Sequence, residues 1–348
     1  MKSIIISFVA VIVAATATYA QSTVVATLNH ENNISVFHGQ TALAQAMAAA
    51  EDGDLVTLSS GNFAATDIKK AVTLRGTGIE ENEVTGQHMT RIVGDLEFNI
   101  GNGTTEKSSV EGVFFDGTVT KNTGKAPNAT FNKCQFTTFT CINISNYSSY
   151  KAENWTFTNC YFTTMLILPY GTSATFVNCC VFNPRAYSST SNPCSLDFTN
   201  CIVIADSGVG FQTNPHLTNS TFTNCFLFQT STNLSVKALD QFNQAYNCVG
   251  YDASGKAPVF GNINQDSNIE LDAAEYNALF KADTFYELTD EARTKYIGND
   301  GQSEVGLYGG VLPYNTRILN PQITKCQVAP KTTTDGKLSV NIEVKAAE

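Results

Sequence analysis

Phe157-Thr158-Asn159-Cys160-Tyr161-Phe162 is one of six copies of a single hexapeptide, Phe-x-Asn-Cys-x-apolar. The other copies are Phe131-Asn132-Lys133-Cys134-Gln135-Phe136, Phe176-Val177-Asn178-Cys179-Cys180-Val181, Phe198-Thr199-Asn200-Cys201-Ile202-Val203 and Phe222-Thr223-Asn224-Cys225-Phe226-Leu227. A worn copy, Ala245-Tyr246-Asn247-Cys248-Val249-Gly250, closes the series. The six cysteines are spaced 26, 19, 22, 24 and 23 residues apart. A period in the low twenties marks a solenoid in which each repeat is one coil.

Within a copy, apolar residues alternate at Cys and Cys+2, as in Cys160 and Phe162, which is the pattern of a strand with one buried face. The Phe three residues before the Cys ends the preceding strand. The Asn between them, present in five of six copies, tolerates a left-handed backbone and lets two strands meet at a sharp bend without glycine. Repeated at one phase, its amide is placed to hydrogen-bond from coil to coil. Short strands, small turns and this period give a three-sided coil of parallel strands. Helical solenoids are excluded, because no spacing of three and four runs through residues 129–250.

The cysteines follow the same phase. Cys134, Cys160, Cys179, Cys201, Cys225 and Cys248 should form one internal column, with strands about 4.8 Å apart. Two readings stand: a reduced ladder of small buried side chains, or bridges between neighbouring rungs. Cys141, Cys180, Cys194 and Cys326 lie off the column, and any other disulfide would be sought there.

Only 15% of the 348 residues are charged, against about a quarter in an ordinary globular chain, and the net charge is −10. Thr, Ser and Asn replace the missing charge. An acidic, charge-poor chain argues against nucleic acid and anionic membranes as partners. Lys2, the apolar run Ile4–Ala15 and Thr18-Tyr19-Ala20 before Gln21 read as a secretory signal peptide over 1–20. The run is too short for a transmembrane segment. Export to the periplasm, the cell surface or the medium is therefore expected.

Residues 41–51, TALAQAMAAAE, predict a short helix with Leu43, Met47 and Ala50 on one face, placed to cap the first coil. After residue 250 the repeat fades. Val305-Gly306-Leu307-Tyr308-Gly309-Gly310 reads as a closing strand and turn, and Gln322–Val328 with 337–344 reads as a terminal hairpin turning at Asp335-Gly336. The expected organisation is a leader (1–20), a β-helix domain with its N-terminal cap (21–312) and a small C-terminal extension (313–348).

The strings DGDLVTLSSGNF, AVTLRGTG, the F-T-N-C coils and GNDGQSEVGLYGG resemble secreted bacterial right-handed parallel β-helix proteins of the pectate-lyase-like superfamily. The similarity covers roughly residues 35–312. It implies an all-β fold, a right-handed parallel β-helix forming a single-stranded solenoid. It does not fix the activity, because the fold hosts lyases, hydrolases, esterases and adhesins.

The superfamily's Asn-Thr-Asp, Asp-Asp, Gly-His-Gly and Arg-Ile-Lys signatures are missing from the sequence. Residues 129–235 carry six charged side chains: Lys133, Lys151, Glu153, Arg185, Asp197 and Asp206. Acid–base chemistry on a sugar needs two carboxylates, or a metal and a base, at one spot. Arg185 and Asp206 follow consecutive ladder cysteines by six and five residues. In register, they flank a shallow sugar-binding groove with Tyr187, and Tyr170 offers a further aromatic face. The competing reading is a solvated surface ion pair. His30, His38, His88 and His216 lack metal-ligand spacing. Asn262–Asn268 lacks the glycine a calcium loop needs. Arg75-Gly76-Thr77-Gly78 is a turn, with no helix following as a phosphate loop requires. No cofactor or metal is expected. The preferred expectation is glycan or polysaccharide binding without an evident catalytic centre. A polysaccharide lyase or glycoside hydrolase is the first alternative, and a structural or adhesive surface protein the second.

Overall fold

The computed structural model describes residues 24–81, 88–100, 106–121, 126–141, 152–186, 193–206, 217, 219–232, 239, 242–255, 258–261, 263, 267–318, 322–328 and 340–345. The expected leader lies outside these, as do Tyr187, His216 and most of the Asn262–Asn268 loop. The chain is a parallel β-solenoid. One 11-stranded sheet and one 12-stranded sheet run its length.

The first sheet holds the segment that ends at each repeat's Phe and the residue after it. Its parallel part runs through Leu55–Leu58, Thr73–Arg75, Ser109–Glu111, Thr130–Asn132, Trp155–Thr158, Ser173–Val177, Ser195–Thr199, Ser220–Thr223 and Gln244–Tyr246. The second sheet runs from Gly61–Ala64 through Thr90–Val93, Phe114–Lys121, Gln135–Cys141, Tyr161–Leu168, Cys180–Phe182, Ile202–Ala205 and Phe226–Gln229 to Val249–Asp252 and Ile269–Glu270. Its longest strands shift register after Phe136 and bend onto a third side. There Leu96–Glu97 pairs with Phe114–Lys121, and Pro184–Ala186 pairs with Tyr161–Leu168.

The residue before each Cys makes the bend between the two sheets. Asn159, Asn178, Asn200, Asn224 and Asn247 have φ of 53, 50, 53, 53 and 52°, and Lys133, which replaces Asn in the first copy, has 52°. Inside the coil the phenylalanines stack at strand pitch. Phe131–Phe157, Phe157–Phe176, Phe176–Phe198 and Phe198–Phe222 centroids lie 4.9, 4.9, 4.6 and 5.0 Å apart, with nearly parallel rings.

The cysteine column is reduced and buried, and the thiols also make hydrogen bonds. The Sγ of Cys160, Cys179, Cys201 and Cys225 sits at the bend and donates to the carbonyl of the preceding coil's Phe, as Cys179 does to Phe157 (3.4 Å) and Cys201 to Phe176 (3.4 Å). The Cys179 N–H in turn donates to Cys201 Sγ (3.4 Å). A small side chain able to donate and accept satisfies backbone groups that the left-handed residue leaves out of the ladder. Cys180 and Cys194 are likewise reduced and buried. The side chains of Cys141 and Cys326 lie outside the described residues.

Both ends depart from expectation. The helix Ala42–Ala49 buries Ala42, Leu43, Ala46 and Met47. It is not what extends past the first sheet's edge. A hairpin, Val25–His30 with Asn33–His38, does so, pairing antiparallel with Leu55–Leu58. At the other end, residues 305–310 do not form a closing strand. From Leu271 the chain covers the outer face of the second sheet. The short helices Ala273–Asn277 and Asp290–Lys295 bring Leu271, Leu279, Leu288, Tyr296 and Leu307 against Cys180, Ile202, Ile204, Phe226, Phe228 and Val249. This explains why Ile202–Ala205 and Phe226–Gln229 are buried on both faces.

Residues 297–318 then run back along the Asn bends as a strap. Asn247 Nδ2 donates to Ile297 O (2.9 Å), the Gly306 N–H to Asn224 O (2.9 Å), and Asn178 Nδ2 to Leu307 O (2.6 Å) and Gly309 O (2.8 Å). Lys133 Nζ reaches Arg317 O (2.5 Å). Gly306, at φ 89°, lies so close to Phe226 that a Cβ would stand 2.6 Å from the ring. Among the described residues, one Asn–Asn bond, Asn247 Nδ2 to Asn224 Oδ1 (2.8 Å), joins these Asn-Cys bends of neighbouring coils. The amides expected to bond mainly to each other thus bond largely to the strap. Beyond it, Gln322–Val328 and Val340–Lys345 form an antiparallel hairpin.

Candidate functional site

The cap removes part of the second sheet from solvent and leaves the outer face of the first sheet as the long polar surface. Outward positions there fall into two in-register columns. One runs Ser109, Thr130, Thr156, Thr175, Asp197, Thr221 and Gln244; the other runs Glu111, Asn132, Thr158, Val177, Thr199, Thr223 and Tyr246. Neighbours within a column are about 4.8 Å apart and the columns about 6.6 Å apart. Among the described residues, no side-chain hydrogen bond engages Thr156, Thr158, Thr175, Thr199, Thr221 or Thr223. At the N-terminal end the second column is tied internally: Arg75 Nε meets Glu111 Oε2 at 3.3 Å, and Asn132 Nδ2 donates to Glu111 Oε1 at 3.0 Å. The Thr-Phe-Thr triplets at 156–158 and 221–223 carried this face in the sequence, with Phe inward and both hydroxyls outward.

Of the expected residues, Arg185 and Asp206 lie off this face, on the segments that follow the second sheet's strands. Arg185 stands in Pro184–Ala186 beside Ile167, is half-buried, and keeps its buried Nε without a hydrogen-bond partner. Asp206 follows Ile202–Ala205, the strand paired with Cys180–Phe182, so the two charges occupy neighbouring coils. Asn183 organises this corner. Its Nδ2 donates to Thr164 O (2.9 Å), and its Oδ1 accepts the Asp206 N–H (2.8 Å), which links three successive coils. Tyr170 sits in the turn that leads into Ser173–Val177, where Thr172 Oγ1 donates to Pro169 O (2.8 Å). The structure therefore places Arg185 and Asp206 at one corner, with Tyr170 further along the coil. Tyr187 lies outside the described residues.

Other titratable groups serve the fold. Asp54, 8% exposed, accepts from the Glu51 N–H (2.7 Å) and pairs with His30 Nδ1 (2.9 Å). That hydrogen bond and the carboxylate's charge raise the His30 pKa above its usual value. Burial lowers the Lys133 pKa. His88 pairs with Glu81 at 2.9 Å on the surface. Among the described residues, no group of three His, Cys, Asp or Glu side chains is placed to hold a metal ion. Among them, too, no helix is long and apolar enough to cross a membrane. A shallow groove between the two cap helices is closed by Lys295 Nζ on Glu275 Oε1 at 2.7 Å.

Family models, curated proteins and solved structures, compared with this chain, return no match. The fold and the surfaces above are therefore what bears on function.

Proposed function

We propose that this is an exported β-helix protein that binds glycan on its outer surface. The observation that carries the reading is the first-sheet face, which presents uncommitted threonine hydroxyls in two regular columns with a single charge, Asp197, between Thr130 and Gln244. Hydroxyls both donate and accept, so such a surface suits a polyol better than an ion. Arg185, Asp206, Tyr170 and Tyr187 remain in the proposal as a second contact region. The leader-like 1–20 segment supports export, and the resemblance to polysaccharide-acting β-helix proteins supports a glycan as partner.

Electrophoresis of the chain from residue 21 onward, through gels containing single polysaccharides, tests the reading. Retardation without change to the polymer is the expected result. Unsaturated or reducing-end products would replace it with a lyase or hydrolase. Free migration in every gel would refute it and leave a structural or adhesive role.

A further inference from the structure

The outer face of the second sheet changes character halfway along the solenoid. Asn62, Arg91, Phe114, Gln135, Tyr161, Cys180, Ile202, Phe226 and Val249 occupy successive rungs of one outward column. From Cys180 onward the column is apolar and lies under the cap. Phe285 is the cap residue that meets Tyr161, edge to face at 5.0 Å. Gln135 is the next rung, about 4.8 Å away. There the floor of the sheet meets the side of the cap.

The open rungs carry a different chemistry. Asn62 is exposed, and Arg91, Phe114 and Gln135 are half-buried. Beside them, Val93 and Asp116 form a second paired column, with Val93 43% exposed. The Arg91 guanidinium carbon lies 5.4 Å from the Phe114 ring centroid, and Nη2 donates to Asp116 Oδ2. Stacking and ion pairing together fix the planar donor fork and cancel its charge. The amides of Asn62 and Gln135 make no side-chain hydrogen bond among the described residues. Each therefore offers two donors and an acceptor.

We propose that these open rungs, at the foot of the cap, bind a neutral oligosaccharide. Asn62, Arg91, Gln135 and Asp116 engage its hydroxyls, and Phe114 and Val93 meet its C–H surface. The inference rests on the glycan-binding reading and names the place and the ligand class. A pyranose ring carries hydroxyls that donate and accept above apolar C–H groups, which matches this mixture of fixed donors, a fixed acceptor and apolar carbon. An anionic sugar matches it poorly. The one cation is already neutralised, Asp116 repels a second carboxylate, and the whole chain carries −10. The sequence hid this group, because its members come from four separate coils, of which only the last, with Gln135, belongs to the cysteine series.

The test uses galactomannan and hydroxyethyl cellulose as neutral probes and polygalacturonate as the acidic one, with dissociation constants from affinity electrophoresis. The double variant Asn62→Ala/Gln135→Ala removes surface amides that hold nothing in the fold, so its melting temperature stays at the wild-type value. Losing two hydrogen bonds weakens neutral-polymer binding about tenfold or more. Arg91→Lys, which keeps the charge and loses the fork, weakens it in the same direction. The inference is overturned if the double variant binds like wild type while Arg185→Ala or Thr158→Val/Thr223→Val abolishes binding; the glycan reading then survives elsewhere on the surface. Tighter binding of polygalacturonate than of either neutral polymer overturns it as well. Absence of binding to all three probes removes the broader reading and this inference with it.

Discussion

Replacing Asn178 should cost far more than replacing Asn159, although both occupy the same position of the same repeat. Both have left-handed backbones, with φ of 50° and 53°, and both are buried. They differ in what the amide holds. Asn178 Nδ2 donates to Leu307 O and Gly309 O in the strap. No side-chain hydrogen bond engages Asn159 among the described residues. In Asn178→Ala the Gly309 carbonyl loses its donor, a loss of about 1–3 kcal/mol for a stranded buried group. Leu307 O keeps the Tyr314 N–H, so that bond is worth only about 0.5–1 kcal/mol. Alanine in a left-handed conformation adds about 1 kcal/mol. The total is about 2.5–5 kcal/mol, against about 1 kcal/mol for Asn159→Ala. Asn178→Gly separates the terms, because glycine takes the positive φ freely and still loses both hydrogen bonds. Urea unfolding of the three variants measures these differences. Faster hydrogen exchange at Gly306 and Tyr314 in both Asn178 variants locates the loss in the strap. Equal destabilisation by Asn178→Ala and Asn159→Ala would refute the reasoning, since the strap would then contribute nothing through this amide.

Two further outcomes follow from burial. Burial pushes the thiols of Cys160, Cys179, Cys201, Cys225 and Cys248 well above their usual pKa. The unfolded chain therefore ionises first as pH rises. The stability these thiols contribute is complete below about pH 8.5 and falls above it by about 1.4 kcal/mol per pH unit for each thiol. The midpoint of urea unfolding should drop steeply between about pH 8.5 and 10, and these five thiols should resist iodoacetamide until the protein unfolds; a flat profile would contradict the burial. Ending the chain at residue 270 uncovers Ile202, Ile204, Phe226, Phe228 and Val249, each at most 3% exposed. Such side chains are worth about 1.5–3 kcal/mol apiece when buried. The truncated chain should bind a hydrophobic dye and aggregate, and a monodisperse product of unchanged melting temperature would show that the cap is dispensable.

The middle of the fold was legible because one period controls both local and long-range structure. A residue at a given phase of one coil meets the same phase of the next, so five copies of the Phe and five of the Asn directly described a packed column and a bend. The ends were not legible, for the opposite reason. Val25–His30 and Asn33–His38 pair once, at one edge, and no second copy signals them. The cap was hidden by a related ambiguity. The four-residue runs Ile202–Ala205 and Phe226–Gln229 announce burial on both faces, but they do not say what covers the outer one. Residues 305–310 read as a strand from their apolar alternation. Gly306 and Gly309 instead let the strap lie against Phe226 and turn, and the backbone groups it presents are met by both the side chains and the backbone of the Asn column.

The same periodicity limits where a function can be built. Each coil spends its inward residues on the core and its bend residue on turning the chain, so chemistry is confined to outward positions. The cap then removes the outward positions of the second sheet from Cys180 to Val249. What remains is the threonine face of the first sheet, the Arg185 corner and the rungs from Asn62 to Gln135. These differ in how firmly their polar groups are held. The threonines are regular but unsupported. Arg185 and Arg91 both keep a buried Nε without a partner, but Arg91 is also held by Phe114 and Asp116. Recognition of a flexible, hydrated ligand favours groups whose geometry is set before binding, because less ordering then accompanies association. By that criterion the Arg91 rungs are the place where a sugar would be gripped, and the threonine face is the surface along which a longer chain would lie.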